Sequence, residues 1–147
     1  MLDPFSKEQL VGAGPGFSIL REVAFQDVDA AGIVFFPRFL AYMHDAYVAW
    51  LAHAGCPLPE LIQSRSWIAP IASVNADFLR PLRFGDAIAL RVVAAARGRS
   101  SYRMGYRIDR GEEAVAVGQT THVVISEGRP MVIPERLSAA LDALQRA

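Results

Sequence analysis

The sequence predicts an α+β fold in which one long helix lies across an antiparallel sheet of about five to six strands. Three observations predict this class. A long segment with helical periodicity follows an early strand, strand-like segments joined by short turns come next, and the chain ends in a short amphipathic stretch. Because the helix and the sheet each have an apolar face to bury, packing one on the other satisfies both.

The first strand is predicted at residues 17–25, where the side chains alternate along the segment, and a turn with two aspartates follows. The long helix is predicted from Pro37 to about Ala54. No glycine or internal proline interrupts it, and apolar residues recur at steps of three and four. Gly55 ends the helix. So wide an apolar surface predicts a helix that other structure encloses.

Four further segments have the pattern of strands, at residues 67–79, 86–97, 101–110 and 113–126. The turns between them contain glycine or proline and suit antiparallel reversals, so we expect a meander. A short amphipathic helix is predicted to begin at Pro134. We interpret residues 1–16, which end in GAGPG, as a flexible N-terminal segment and residues 17–147 as a single domain.

The composition argues against several classes of function. Acidic and basic residues balance at 15 each, which does not indicate a nucleic-acid-binding surface. No apolar run reaches the roughly 18 residues of a membrane span, and the N-terminus lacks a signal-peptide pattern, so we expect a cytoplasmic protein without a membrane partner. Cys56 is the only cysteine and cannot form an intramolecular disulfide, in agreement with a reducing compartment.

The stretch FQDVDAAGIVFFPRF, residues 25–39, places two aspartates against the apolar start of the long helix. From the residues alone, two interpretations of Asp29 stay open. A carboxylate partly desolvated by the apolar residues 34–36 could act as a nucleophile or base, whereas an aspartate here could instead cap the following helix. Asp27 is predicted to be structural and to bond backbone N–H groups in the turn.

Three stretches resemble the hotdog-fold thioesterases of the 4-hydroxybenzoyl-CoA thioesterase type: FQDVDAAGIVFFPRF at 25–39, APIASVNADFLRPLRFGD at 69–86 and VGQTTHVVI at 117–125. The first is the most specific, since it carries D-x-D-x-x-G-x-V between the first strand and the central helix. The segment HDAYVAWL, residues 44–51, is most similar to the branch that hydrolyses 1,4-dihydroxy-2-naphthoyl-CoA. The resemblance implies a hotdog fold and hydrolysis of an acyl-CoA, expected to be aromatic, to the free acid and CoA without a cofactor.

The resemblance also implies roles for individual residues. Asp29 matches the catalytic carboxylate, which attacks the thioester or activates water. The backbone N–H of Phe36, at the positive end of the helix dipole, would bind the oxyanion, and Gly32 would let the turn bring both groups together. His44 occupies the position of an aspartate that contacts the ring hydroxyl in the 4-hydroxybenzoyl enzyme, and a histidine there could bond an aryl hydroxyl or carbonyl.

The stretch RGRSS is similar to the basic turn that holds the CoA phosphates in the 4-hydroxybenzoyl enzyme. The resemblance therefore implies CoA contacts from Arg97, Arg99, Ser100 and Ser101. An ordinary solvated hairpin tip fits the same residues equally well, because Gly98 and Ser100 stand where the relative has basic residues.

No metal site is predicted, because His44 and His53 lie on opposite faces of the helix and His122 has no cysteine partner. The family's dimers, which commonly pair into tetramers, imply a homodimer or homotetramer with active sites at the dimer interface. Two other functions stay open. One is a thioesterase for aliphatic or polyketide-like acyl groups on CoA or a carrier protein, and the other is a non-catalytic acyl-CoA-binding module.

Overall fold

The computed structural model describes residues 2–146 and confirms the α+β class with a five-stranded antiparallel sheet. The strands of this sheet are β1 Phe17–Glu22, β2 Ile71–Phe78, β3 Ala87–Arg97, β4 Ser101–Arg110 and β5 Glu113–Val123. A separate small hairpin consists of β6 Ile125–Ser126 and β7 Arg129–Pro130. The helices are α1 Lys7–Val11, α2 Phe36–His53, α3 Leu58–Ser64 and α4 Glu135–Arg146.

The order of the strands across the sheet is β1-β3-β4-β5-β2, which corrects the predicted meander. Strands β3, β4 and β5 follow one another as hairpins. Strand β2, however, pairs with β5 rather than with β3, because β3 already pairs with β1 on its other side. The connection from β2 to β3 therefore crosses the sheet, and β2 becomes an edge strand.

Helix α2 lies on one face of the sheet, as the periodicity predicted, and supplies most of the helical part of the core. Its buried residues are Phe39, Tyr42, Met43, Ala46, Tyr47, Trp50 and Leu51. A glycine in β5 permits the close packing, since a Cβ on Gly118 would lie 2.6 Å from the sulfur of Met43. The helix ends before Gly55, whose φ of 82° reverses the chain.

The opposite face of the sheet is covered by the N-terminal residues, which corrects the prediction of a flexible segment over residues 1–16. Ser6 and Gln9 form a capping box that starts α1, and Leu10 is buried against β4 and β5. The guanidinium of Arg107 donates to backbone carbonyls of this segment, including that of Ala13 at 2.7 Å. The buried apolar and charge-assisted contacts together fix the segment on the sheet.

Residues 57–66, which lie between the predicted long helix and the predicted strand at 67–79, contain helix α3. Proline occupies its N-cap and its first turn, where the lack of an N–H costs nothing, and Arg65 ends the helix with a φ of 55°. Within the described residues 2–146, no helix is long and apolar enough to cross a membrane.

Edge strand β2 is the most exposed strand of the sheet. Seven of its eight residues are exposed, among them Ile71, Val74 and Phe78. Aromatic contacts place one end of β2 beside the start of α2, since the ring of Phe78 lies 6.1 Å from that of Phe36 and 5.2 Å from that of Phe39. The turn with the two aspartates is therefore close to an unpaired sheet edge.

Candidate active site

The turn that carries Asp29 is a tight reversal between β1 and α2. Val28 and Val34 form an antiparallel bridge across it, and the N–H of Asp29 donates to the carbonyl of Ile33 at 2.9 Å. The N–H of Gly32 donates back to the carbonyl of Asp29 at 2.9 Å. Gly32 has a φ of 82°, which an L-residue adopts only under strain, so glycine is the residue that suits this turn.

The carboxylate of Asp29 is only partly engaged. Its Oδ1 accepts one hydrogen bond, from the N–H of Ala31 at 2.8 Å, and this bond holds the side chain in a fixed orientation. We expected residues 34–36 to desolvate Asp29 partly, but Asp29 is exposed in the single chain. The donor of this bond, the N–H of Ala31, also lies within the turn, so Asp29 is not the cap of α2, where Phe35 occupies the N-cap position.

Asp27 has the opposite environment and is only 5% exposed. Its Oδ1 accepts from Nε of Arg38 at 2.7 Å, and its Oδ2 accepts from the hydroxyl of Tyr42 at 2.6 Å. Burial alone would raise the pKa of Asp27, but the hydrogen bonds from Tyr42 and Arg38 outweigh it and the pKa is lowered. Asp27 is structural, as predicted, and its side chain bonds two side chains of α2 in addition to the backbone at Ala24.

Helix α2 begins with an unpaired backbone donor beside this turn. Phe36 is the first helical residue and has no intrahelical acceptor for its N–H. The next position is Pro37, which has no N–H, and the N–H of Arg38 donates to the carbonyl of Phe35 at 2.8 Å. The N–H of Phe36 is thus the donor that the helix start offers to a bound oxyanion, with the helix dipole behind it.

His44 lies on α2 two turns beyond Phe36 and borders a cavity of about 250 Å³. The cavity is enclosed by α2, by α3 and by the segment that leads into β2, and it is lined by His44, Tyr47, Leu51, Leu58, Leu61, Trp67, Ile68, Ala69, Pro70, Ile71 and His122. The lining is mainly apolar with polar groups at His44 and His122, which is typical of a small-molecule pocket. His44 therefore lies beside a cavity, and its implied contact with the substrate stays a prediction.

The inner wall of this cavity is fixed by His122, which is fully buried in β5. Its Nδ1 lies 3.1 Å from the carbonyl oxygen of Ala69, so this nitrogen carries the proton. Its Nε2 then accepts from the hydroxyl of Thr120 at 2.8 Å, and the rings of Tyr47 and Tyr102 both stack against the imidazole. Burial lowers the pKa of His122 to about 4, so the ring is neutral at pH 7.

The proposed CoA turn between β3 and β4 is only partly as expected. Arg97 donates two hydrogen bonds to Asp142 of α4, at 2.7 and 3.0 Å, so its guanidinium is already occupied by a carboxylate. The implied phosphate contact from Arg97 stays a prediction, and a phosphate there would compete with Asp142 for the guanidinium. Arg99 is exposed and has no acidic partner among residues 2–146, whereas Ser100 and Ser101 are half-buried and accept backbone hydrogen bonds through their carbonyls.

Two groups of site residues were missed from the sequence. Arg38 and Tyr42 are four residues apart on α2, so they share a helix face, and this spacing beside a buried aspartate was an available signal. The cavity wall at residues 67–71 had no such signal, because it is formed by a long-range contact with β5. Within residues 2–146, no three metal-ligating side chains converge.

The sequence comparisons agree with this geometry. Residues 23–141 match the family model described as the thioesterase-like superfamily. A 1,4-dihydroxy-2-naphthoyl-CoA hydrolase from Synechococcus elongatus is 36% identical over 124 residues, which cover 82% of this chain and 91% of that protein. The residues that match the family model include the aspartate turn, helix α2 and strands β2 to β5, but not β1.

Solved structures are similar over the same part of the chain. A 1,4-dihydroxy-2-naphthoyl-CoA thioesterase from Synechocystis superposes with a TM-score of 0.80 at 26% identity, covering 86% of this chain and 95% of that one. A gentisyl-coenzyme A thioesterase superposes with a TM-score of 0.77 at 27% identity, covering 85% and 98%. The predicted hotdog fold is confirmed. By the family model and by the identity to its relatives, this chain belongs to the thioesterase-like superfamily.

Proposed function

We propose that this chain hydrolyses an aromatic acyl-CoA thioester to the free acid and CoA. The observation that carries the proposal is the pairing, on one turn of a thioesterase-family chain, of a carboxylate with an open oxygen and an unpaired helix N–H. Asp29 supplies the carboxylate and Phe36 supplies the N–H. The relatives that are named for naphthoyl and gentisyl thioesters support an aromatic acyl group.

The two groups divide the chemistry between them. Asp29 attacks the thioester carbonyl carbon, or it takes a proton from a water that does so, and the carbonyl oxygen becomes an oxyanion. The N–H of Phe36 stabilises that oxyanion, and one such donor is typically worth about 10² to 10³ in rate. The CoA thiolate then leaves. If Asp29 is the nucleophile, water hydrolyses the resulting anhydride and restores the carboxylate.

The acyl group is placed in the cavity beside His44. His44 lies eight positions beyond Phe36 on α2, which corresponds to about 12 Å along the axis at 1.5 Å per residue. A two-ring acyl group with hydrogen bonds at its ends can span a gap of this size. His44 then bonds an aryl hydroxyl or carbonyl, while the apolar wall at Trp67 and Ile71 packs against the rings.

A second copy of the chain completes the site. The exposed edge strand β2 offers unpaired backbone groups, and antiparallel pairing of two β2 strands about a two-fold axis satisfies them. This pairing places the Phe78 end of one strand beside the Ile71 end of the other, so that the partner covers Asp29 and Phe36. The dimer thus supplies the desolvation of Asp29 that the single chain lacks. A tetramer would be a pair of such dimers. We also propose that the protein is cytoplasmic.

The test is a rate measurement on the purified full-length chain with 1,4-dihydroxy-2-naphthoyl-CoA, benzoyl-CoA and hexanoyl-CoA, scored by release of the CoA thiol. We expect kcat/KM to be at least about tenfold higher for the better aromatic substrate than for hexanoyl-CoA, since a flat pocket favours a ring. Comparable or better hydrolysis of hexanoyl-CoA would support the aliphatic alternative. Binding of all three thioesters without thiol release would support the non-catalytic module.

A further inference from the structure

One wall of the cavity beside His44 is a single segment of chain. Residues 67–71 form this wall, and all five line the cavity. Ile68, Pro70 and Ile71 are exposed in the single chain, so three of the five residues are not held by core packing. The position of the wall, and with it the width of the cavity, therefore depends on the bonds that attach the segment to β5.

Backbone bonds attach this wall only in part. Ile68 and Ile125 exchange two bonds, with N–H to carbonyl distances of 3.0 and 2.9 Å. Pro70 has no N–H to donate, so the pairing with β5 is interrupted there. The carbonyl of Ala69, between these two residues, is bonded by a side chain instead, and its oxygen lies 3.1 Å from Nδ1 of His122. The buried imidazole thus fixes the middle of the wall.

The imidazole of His122 is the end of a buried hydrogen-bond chain that has one direction. The carbonyl of Ala69 can only accept, so Nδ1 carries the proton and Nε2 must accept. The hydroxyl of Thr120 therefore donates to Nε2 at 2.8 Å. Because its one hydrogen is then used, the hydroxyl of Tyr106 donates to the oxygen of Thr120 at 2.7 Å. Each donor has one acceptor, and reversal of one bond would leave another group of the chain unpaired.

This arrangement excludes His122 as a direct contact for the substrate. Both of its ring nitrogens are bonded within the protein, and the ring stacks against Tyr47 and Tyr102 with centroids 4.5 and 4.9 Å apart. Of the two histidines that line the cavity, only His44 is open to an acyl group. His122 is thus a fully buried polar group in the cavity wall that the chemistry at Asp29 does not use.

We propose that His122 is a positioning residue that determines which acyl groups the cavity accepts. Oriented by Thr120 and Tyr106, its Nδ1–H fixes Ala69 and thereby the separation between the wall and α2. A fixed separation favours a flat acyl group, because a ring packs on both faces only between walls that hold their distance. A flexible aliphatic chain adapts to a wall that has moved, so it depends less on this bond. The inference rests on the proposed function and adds the group that selects the shape of the acyl part.

The experiment breaks one bond of the chain while keeping the shape of the residue. Thr120→Val replaces the hydroxyl with a methyl group of similar size, so Nε2 of His122 loses its donor. Thr120→Ser is the reciprocal variant, because it keeps the hydroxyl and loses the methyl group. Thr121→Val is the matched control. Thr121 is the next residue of β5 and points to the opposite face of the sheet, and its hydroxyl has no hydrogen-bond partner among residues 2–146.

Steady-state kcat and KM are measured with 1,4-dihydroxy-2-naphthoyl-CoA and hexanoyl-CoA, and urea unfolding is measured for each protein. We expect Thr120→Val to lower the ratio of kcat/KM for the aromatic over the aliphatic thioester about tenfold, mainly through a higher KM for the aromatic one. Its kcat on hexanoyl-CoA should stay within about twofold, because the reacting groups between β1 and α2 are untouched. Thr120→Ser and Thr121→Val should keep the wild-type ratio within about twofold, although the lost methyl group makes Thr120→Ser less stable.

Two further measurements support the comparison. The nitrogen-15 NMR shifts of the His122 ring distinguish its two neutral tautomers. The wild type should carry the proton on Nδ1 alone, whereas Thr120→Val should show a mixture, because Nε2 has lost its donor. Tyr106→Phe removes only the far hydroxyl of the chain and replaces Thr120→Val if that variant does not fold. It should lower the same ratio about threefold, as for one weakened hydrogen bond.

Two outcomes would overturn the role of His122 alone. One is an unchanged substrate ratio in Thr120→Val, or in Tyr106→Phe where Thr120→Val does not fold. The other is an equal fall of the ratio in Thr120→Ser, because the effect would then follow the loss of stability and not the loss of the hydroxyl. Wild-type protein that releases no thiol from either thioester would instead overturn the proposed function, and this inference with it. The two failures are therefore distinguishable.

Discussion

The two halves of the turn between β1 and α2 are built in opposite ways. In the first half, Asp27 is buried and both of its carboxylate oxygens accept hydrogen bonds from α2. In the second half, Asp29 is exposed and only one oxygen is occupied, by the N–H of Ala31. Two aspartates that are two residues apart thus have different chemistry, because only one of them keeps an open lone pair toward the outside.

This difference separates the stability of the turn from its reactivity. The bonds of Asp27 to Arg38 and Tyr42 attach the turn to the first two turns of α2, which fixes the position of the Phe36 N–H relative to the turn. A carboxylate with satisfied bonds and a lowered pKa is a poor base and a poor nucleophile. The reactive carboxylate can remain open only because the neighbouring one holds the turn.

The largest effect on stability is expected from Asp27→Asn. The substitution removes the charge that Arg38 and Tyr42 bond. It should lower the unfolding free energy by about 2 to 3 kcal/mol, which is less than for a fully buried ion pair because Arg38 is half-exposed. Urea unfolding followed by circular dichroism measures the change. A midpoint equal to that of the wild type would mean that the buried pair does not hold the turn.

The same contrast predicts a pH dependence. The folded-state pKa of Asp27 is lowered from 3.8, so its contribution to stability is present above pH 3.8 and is lost as the pH falls through the lower folded value. The difference in urea midpoint between wild type and Asp27→Asn should therefore be constant from pH 7 to about 5 and shrink below pH 3.8. A difference that grows on acidification would contradict the assignment of Asp27 as the ionised partner.

A smaller effect is expected from Gly32→Ala, which forces a φ of 82° on a residue with a Cβ. The strain should cost about 1 kcal/mol, and displacement of the turn should lower kcat about tenfold. Gly111→Ala is the matched control, since Gly111 has a φ of 62° in the β4–β5 turn and its Cβ would also meet open space. It should lose similar stability with unchanged kcat, and equal losses of kcat in both variants would remove Gly32 from the site.

The smallest effect is expected from Phe36→Leu. The oxyanion donor is the backbone N–H, which the substitution keeps, so kcat should stay within about threefold of the wild type. Its stability should change little because Phe36 is 58% exposed, whereas Phe39→Leu, at a position that is 4% exposed, should cost about 1 kcal/mol. Loss of one oxyanion donor typically lowers kcat by about 10² to 10³. A loss of that size in Phe36→Leu would argue that the side chain of Phe36 acts in catalysis.

Periodicity was sufficient to predict the elements with strong patterns. Helix α2 begins one residue before Pro37, and β3 and β4 lie within a residue of their predicted bounds. The crossing of β2 to pair with β5 was not predictable, because pairing partners depend on contacts across the sheet. Helix α1 was missed although SKEQ, residues 6–9, is the sequence of a capping box, and this local signal was overlooked.

The site shows the same limit. The structural role of Asp27 could be predicted because an aspartate in a turn tends to bond nearby groups, but its bonds to Arg38 and Tyr42 required the helix to be in place. The pairing of Arg97 with Asp142 joins residues 45 positions apart and leaves no local pattern in the sequence. Ion pairs between residues so far apart in the sequence determine which arginines have no acidic partner. These pairs are visible only in the folded structure.

The assignment of Asp29 as the reacting carboxylate is tested most directly by measuring both kcat and the unfolding free energy of Asp29→Asn. Asp3→Asn is the matched exposed control. Asn keeps the shape of the side chain and an acceptor for the Ala31 N–H, but it is neither a base nor a comparable nucleophile. We expect kcat on the best aromatic acyl-CoA to fall by about 10³ or more with unfolding free energy within about 0.5 kcal/mol of the wild type. Hydrolysis by Asp29→Asn at the wild-type rate would contradict the assignment of Asp29 as the reacting carboxylate.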